Sequence, residues 1–189
     1  MSRSKLAHAA LRALGWTISI DDPLTRRYVL IVAPHTSNWD FPLGLLAAWA
    51  LDLDAHWIGK HTLFKGPMGS VMRRLGGIPV DREAASDLVQ QMAERFAATD
   101  DLVLAVAPEG TRGSGDHWKT GFWRIARAAQ VPIAMAYLDY GRREVGLGGT
   151  FMPSNDRDAD FTRIAAFYAG RQGLRPENQG TIQARPPEP

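Results

Sequence analysis

A single α/β domain on a mostly parallel central sheet flanked by helices is predicted by three features of this 189-residue chain. Short apolar runs alternate with stretches of helical spacing, the strand-then-helix order of parallel sheets. Two of the runs, YVLIVA at 28–33 and LVLAV at 102–106, read as strands buried on both faces. The length suffices for one substantial core and is short for two.

The elements follow in order. Lys5 to Leu14 reads as a short amphipathic helix, with Leu6, Ala10 and Leu14 spaced four apart and Lys5 and Arg12 off that stripe. Trp16 to Ile20 is a short strand leading to a turn around Asp21-Asp22-Pro23. Tyr28 to Ala33 is the first buried strand; it stops at Pro34, and a helix is expected over Phe41 to Leu51. His56 to Gly59 and Ile78 to Val80 are further strands, the second preceded by Gly76-Gly77. Leu88, Met92 and Phe96 share one face of a helix from Ala84 to Ala98. After the strand Leu102 to Val106, Gly121 to Ala129 is helical and Val131 to Tyr137 extended. Arg143 to Phe151 is a late strand or hairpin, and Phe161 to Ala169 a final helix. Gly146-Leu-Gly-Gly149 lacks the following Lys-Ser/Thr of a phosphate loop and reads as a turn. From Gly173 the chain is polar and Pro-rich, so 173–189 is expected to be a disordered tail outside a domain of residues 1–172.

Composition narrows the function. The hydrophobic fraction of 45% and charged fraction of 22% are those of a globular protein. Lys plus Arg total 22 against 20 Asp plus Glu, and the arginine pairs at 26–27, 73–74 and 142–143 are isolated, which argues against nucleic acid as partner. With no cysteine, disulfide frameworks, thiolate metal sites and cysteine nucleophiles are excluded. His56 and His61 lie five apart with no acidic cluster nearby, so no metal site is expected. The N-terminus has no signal-peptide core, and the longest uncharged apolar stretch, Phe41 to Leu51, falls far short of the roughly 20 residues a spanning helix needs.

Both notable polar motifs begin where a buried strand stops, the place where ligands bind in open α/β sheets. His35 precedes Asp40 by five positions. On one continuous helix these side chains would lie about 140° apart. They meet only if His35 sits in the turn before a helix that starts near Asp40, and Pro42 is suited to such a first turn. A carboxylate on one ring nitrogen then fixes the tautomer and leaves the other free to take a proton. From spacing alone a plainer reading stands beside this one: Asp40 as a helix cap and His35 as a polar loop residue.

The second motif is Ala107-Pro-Glu-Gly-Thr-Arg112. Gly110 permits close backbone approach, Thr111 offers a hydroxyl, and Arg112 has the paired donors that suit a phosphate. Glu109 can accept from a substrate hydroxyl or hold an arginine. An ordinary surface turn with a local Glu-Arg pair is the alternative. Arg82, after Val80-Asp81, and Lys60, after Ile58-Gly59, are further strand-end cations able to neutralise a phosphate, or else solvated charges.

Taken together these segments resemble the glycerolipid acyltransferase family, best known for 1-acylglycerol-3-phosphate acyltransferases. His35-Thr-Ser-Asn-Trp-Asp40 matches the family's His-x4-Asp motif, and Gly77-Ile-Pro-Val-Asp-Arg82 its second. Ala107 to Arg112 matches Phe-Pro-Glu-Gly-Thr-Arg with alanine for phenylalanine, and Val131-Pro-Ile133 the fourth motif. Four motifs in the expected order are far more specific than any one of them.

The resemblance implies that His35 deprotonates an acceptor hydroxyl, which attacks the thioester of acyl-CoA or acyl carrier protein, with Asp40 orienting His35. It implies that Arg82 and the loop of Glu109, Gly110, Thr111 and Arg112 bind the phosphate and glycerol of a lysophospholipid-type acceptor. No metal, cofactor or covalent acyl-enzyme is implied. The 34 residues before His35 leave little room for the N-terminal two-helix extension of some members. That departure and Ala107 leave the acceptor open between a lysophospholipid, another lyso-lipid and a less usual alcohol or amine.

A lipid substrate places the protein at a membrane surface, and a cytoplasmic protein peripheral on the inner face of the cell membrane is expected. The first helix, continued by Trp16 and flanked by Arg3, Lys5 and Arg12, suits either an interface or packing on the core. The loop around Lys65-Gly-Pro-Met-Gly is a second candidate contact. Two rival functions remain: a hydrolase using His35 on water, which lacks a Gly-x-Ser-x-Gly nucleophile, and a non-catalytic module that binds phosphate head groups.

Overall fold

The structure, a computed structural model, describes residues 2–21, 25–80 and 85–184. Among the described residues seven strands form one sheet: β1 (Thr17–Ile20), β2 (Arg27–Ala33), β3 (Ala55–Lys60), β4 (Gly77–Val80), β5 (Leu102–Val106), β6 (Ile133–Asp139) and β7 (Glu144–Phe151). Their order across the sheet is β1-β7-β6-β2-β5-β3-β4. The two runs with the strongest buried-strand pattern, β2 and β5, are neighbours at its centre, with Leu30 opposite Ala105. Every neighbouring pair is parallel except β6 with β7. The predicted α/β class with a mostly parallel sheet is therefore what the chain adopts.

Helices α1 (Arg3–Ala13), α2 (Asp40–Ala50), α3 (Gly66–Arg74), α4 (Ala85–Ala97), α5 (Gly121–Ala129) and α6 (Arg157–Tyr168) flank the sheet. Alternation along the strands sorts the core into two faces. Val29, Ile31, Leu104, Ile133 and Met135 pack with Met92 and Phe96 of α4, Phe122 and Ile125 of α5, and Phe161 and Ile164 of α6. On the other face lie Tyr28, Leu30, Val103 and Ala134. Near it, Ala7 and Leu11 of α1 pack with Leu43, Ala47 and Ala50 of α2, and with Leu138 and Val145.

Several local readings differ from the structure, each for a physical reason. The buried stripe of α1 is Ala7 and Leu11, while Leu6 and Leu14 are 54% and 56% exposed. The small Ala7 lets α1 lie close on α2, where the Ser4 hydroxyl donates to the Ala50 carbonyl at 2.8 Å. The segment around Lys65 is the start of α3: Pro67 sits in its first turn, where proline is tolerated. Gly69 is there because a Cβ would come within 2.0 Å of the Phe64 carbonyl oxygen. Gly146 to Gly149 lie within β7 rather than a turn, the Tyr137 ring covering the place where a Gly146 Cβ would stand. The last helix starts at Arg157, before the expected Phe161, because the Asp156 carboxylate accepts from the amides of Asp158 and Ala159 and caps it. The expected turn at 21–23 lies largely outside the described residues.

The largest difference is in the C-terminal segment. Through Ala184 it is not a free tail but a strap, paired to the body of the protein. The Trp118 amide donates to the Gln183 carbonyl at 2.8 Å and that of Thr181 to the Gly115 carbonyl at 3.1 Å. Its polar composition hides these backbone bonds, which carry no apolar periodicity.

Tyr168, buried at the end of α6, ties the parallel neighbours β2 and β6 together: its hydroxyl lies 2.9 Å from the Ile31 carbonyl and 3.0 Å from that of Ala136. Tyr168→Phe is expected to cost about 1–2 kcal/mol of stability, read as a lower urea midpoint at unchanged slope.

Candidate active site

The parallel strands deliver their carboxyl ends to one edge of the sheet. At that edge β2 ends at Ala33, the Ala33-Pro34 bond is cis, and residues 35–39 turn before α2 begins at Asp40. The turn brings His35 to Asp40, with Nδ1 3.3 Å from Oδ2. The same Oδ2 accepts from the amides of Thr36 and Ser37, each at 2.8 Å. The other oxygen, Oδ1, accepts from the Tyr140 hydroxyl at 2.7 Å.

The Asp40 side chain is only 2% exposed and that of His35 21%. Burial by itself pushes the Asp40 carboxyl upward, but the hydrogen bonds from His35, Tyr140 and the Ser37 amide outweigh it and hold the group below its ordinary value. The helix start favours the same charge. An ionised carboxylate thus grips Nδ1 and leaves Nε2 on the far side of the ring. Tyr140 answers in the opposite sense, its hydroxyl pushed up by burial and by the bond to Asp40.

Glu109 arrives from the end of β5, the strand next to β2. Its Oε1 accepts from the His35 amide at 2.8 Å. Its Oε2 is buried with no hydrogen-bond partner among the described residues. Burial pushes this carboxyl up despite the lowering effect of the His35 amide bond. Glu109 therefore braces the His35 backbone, and among the described residues it holds no arginine. Gly110 has φ +68, and the Lys119 stem lies over it, where a Cβ would come within 2.7 Å. The Thr111 hydroxyl accepts from the Gly113 amide at 3.3 Å and closes the turn.

Arg112 opens onto a pocket of about 210 Å³ lined with Thr36, Ser37, Asn38, Trp39, Arg175 and Asn178. The structure thus brings together His35, Asp40, Glu109 and Arg112. Lys60 stands exposed at the end of β3, separated from β2 by β5, and is not part of this pocket. Arg82 lies outside the described residues.

Two participants have no motif in the sequence. Tyr140 follows β6, the other neighbour of β2, so the strand-end rule that found His35 and Glu109 applied to it as well. Arg175 belongs to the strap, where composition gave no sign of order. Beside Tyr140 an open groove of about 760 Å³ runs between α1, α2 and the strap, with Leu14, Trp16, Leu43, Leu46 and Leu174 on its walls.

The sequence profile of the acyltransferase family matches residues 16–138, well over half of the chain. No curated protein matches the chain. Among solved structures, a crystal structure from Thermotoga maritima of PlsC, a 1-acyl-sn-glycerophosphate (LPA) acyltransferase, superposes with a TM-score of 0.56. The likeness covers 87% of this chain and 74% of that one at 15% sequence identity, so it speaks for the fold.

The Asp40 geometry has a pH signature. Since its carboxyl is lowered in the folded state, its stabilisation is present above the unfolded value, about pH 4, and is lost as pH falls through the folded value. Tyr140→Phe removes one of the lowering bonds and is expected to cost about 1–2 kcal/mol near neutral pH. That gap should narrow as the medium is acidified, which thermal melts from about pH 7 to about pH 3 would follow. A gap constant across that range would mean that Tyr140 does not support the Asp40 charge.

Proposed function

The chain belongs to the acyltransferase family, and we propose that it moves a fatty acyl group from a thioester donor to a hydroxyl of a lysophospholipid-type acceptor, with His35 as general base. The observation that carries this reading is the buried Asp40 carboxylate, which takes three hydrogen bonds and still approaches His35 Nδ1 at 3.3 Å. Such support serves a ring that must become an imidazolium during reaction.

On this reading the acceptor hydroxyl gives its proton to His35 Nε2 as its oxygen attacks the thioester carbonyl. The tetrahedral intermediate collapses to an ester and expels the thiolate. That thiolate takes up the proton from His35, so the products are an acylated lipid and a free thiol. Asp40 stabilises the positive ring throughout and is not itself protonated. No cofactor is called for beyond the donor, acyl-CoA or acyl carrier protein.

Three features support a lipid acceptor. Arg112 faces the small polar pocket next to the His35 turn, a place for an anionic head group. The apolar groove beside Tyr140 offers walls suited to an acyl chain. Leu14, Leu174 and the 70% exposed Trp39 stand at the groove on the catalytic edge, where a lipid surface would present the substrate. No helix among the described residues is long and apolar enough to cross a membrane, and attachment from the inner, cytoplasmic face is the arrangement proposed. The similar PlsC structure is that of a 1-acyl-sn-glycerophosphate acyltransferase, which makes that acceptor the first to try.

The test is direct: purified protein is given labelled acyl-CoA or acyl carrier protein with a panel of lyso-lipids, and products are identified by mass. His35→Ala should lower turnover by about 10²–10⁴-fold with its melting temperature little changed, and Asp40→Asn should also abolish most transfer. Full activity in His35→Ala removes the mechanism; head-group binding without transfer by the intact protein favours a non-catalytic module. Arg112→Ala should raise the acceptor's apparent KM well above any change for the donor, and equal changes would take the phosphate away from Arg112.

A further inference from the structure

The pocket next to His35 is closed on one side by a segment that lies outside all four motifs. Gly173 of the strap rests against Thr36, so closely that a Cβ would stand 2.6 Å from its hydroxyl oxygen and 3.3 Å from Pro34 Cβ. That same Thr36 hydroxyl oxygen accepts from the Arg175 amide at 3.2 Å. Gln179 then locks the strap on itself, its Oε1 accepting from the Gly173 amide at 2.9 Å and its Nε2 donating to the Arg171 carbonyl at 3.0 Å. Farther on, the Gln183 side chain donates to the Asp116 carbonyl at 2.7 Å, four residues beyond Arg112. The strap is thus fastened both to the His35 turn and to the loop that carries Arg112.

This fastening places Arg175 on the same pocket as Arg112, and among the described residues no Asp or Glu lines it. Among the described residues neither arginine forms an ion pair. Two guanidinium groups around one space of about 210 Å³, with hydroxyl and amide side chains between them, form a receptor for a small anion of more than one charge. Aliphatic or zwitterionic head groups gain little there, and a cationic group is repelled.

We infer that Arg175 is a specificity-determining residue of the acceptor site: with Arg112 it clasps the phosphomonoester of a lyso-lipid and selects it over zwitterionic phosphodiesters. The inference rests on the acyl-transfer reading for its lipid, and on the pocket alone for its anion. The strap completes the head-group site by supplying the second cation.

Two measurements separate the inference from the reading beneath it. In the first, glycerol 3-phosphate and glycerophosphocholine are titrated calorimetrically into wild type, Arg175→Gln and Arg175→Lys. Wild type should prefer glycerol 3-phosphate, Arg175→Gln should bind it about tenfold more weakly, and Arg175→Lys should recover part of the loss. Glycerophosphocholine should be held weakly and alike by all three. In the second, steady-state kinetics compare a lyso-lipid phosphomonoester with its choline ester. Arg175→Gln should raise KM for the phosphomonoester alone, leaving KM for the acyl donor where it was. Gly173→Ala, which pushes the strap off Thr36, should reproduce the same selective loss while the guanidinium is still present. Wild type without a preference for glycerol 3-phosphate, or Arg175→Gln that keeps it, overturns the inference. Failure of wild type to acylate any lyso-lipid would sink the acyl-transfer reading, and the calorimetry would still decide the role of Arg175.

Discussion

The site depends on the Asp40 carboxylate being buried and ionised at once. Removing such a charge from water is costly, and it is sustained only where donors replace the lost hydration. Asp40 collects them from three directions: the turn amides of Thr36 and Ser37, the His35 ring, and Tyr140 from beyond β6. Two parts of the fold locate these donors. The amides require the turn after β2, and Tyr140 requires β6 to lie directly against β2. Site geometry and sheet order are therefore one arrangement, and a shift of β6 against β2 would weaken the Asp40 charge before it moved His35.

A second carboxylate shows how environment separates two acids of similar intrinsic strength. Glu109 also contacts His35, through the backbone amide, yet has one oxygen satisfied and the other buried without a partner among the described residues. Asp40 is held low by its donors; Glu109 is raised by burial. The contrast keeps the negative charge on the side of the ring that faces Nδ1. Glu109 instead joins the loop after β5 to the turn after β2, so Arg112 and His35 keep a common frame. Gly110 is the position where the β5 loop must turn left-handed beneath Lys119 to make that junction.

The fold was legible where one physical signal dominates. Buried parallel strands are continuous apolar runs, and both central ones stand out in the chain. His35 and Asp40 were legible as a pair only jointly with Pro42, which places the helix start between the two possible geometries. Tyr140 was not, because its partner lies a hundred residues away and depends on strand order, which no local pattern encodes. Helix α3 was obscured by Gly66, Pro67 and Gly69, residues that suit a loop in isolation but suit a helix start and a close carbonyl contact here. The strap was obscured for a related reason: backbone bonds to Gly115 and Trp118 hold it, and backbone donors are the same in every sequence.

Trp39 links the two kinds of surface that the proposed lipid acceptor calls for. It is a wall of the polar pocket that holds Arg112 and Arg175, and equally a wall of the apolar groove that reaches Leu14 and Leu46. Its neighbour Asp40 faces inward while the indole stands largely in solvent. An amphiphile lying across that indole would have its charged end beside the arginines and its chain along the groove, with the boundary between them next to the His35 turn. The reacting hydroxyl of a lyso-lipid occupies the same boundary in the substrate, between phosphate and hydrocarbon. Position along the molecule would then be set by partition of its two ends between unlike surfaces, an effect that needs no contact to the hydroxyl itself and would leave it open to the base proposed at His35.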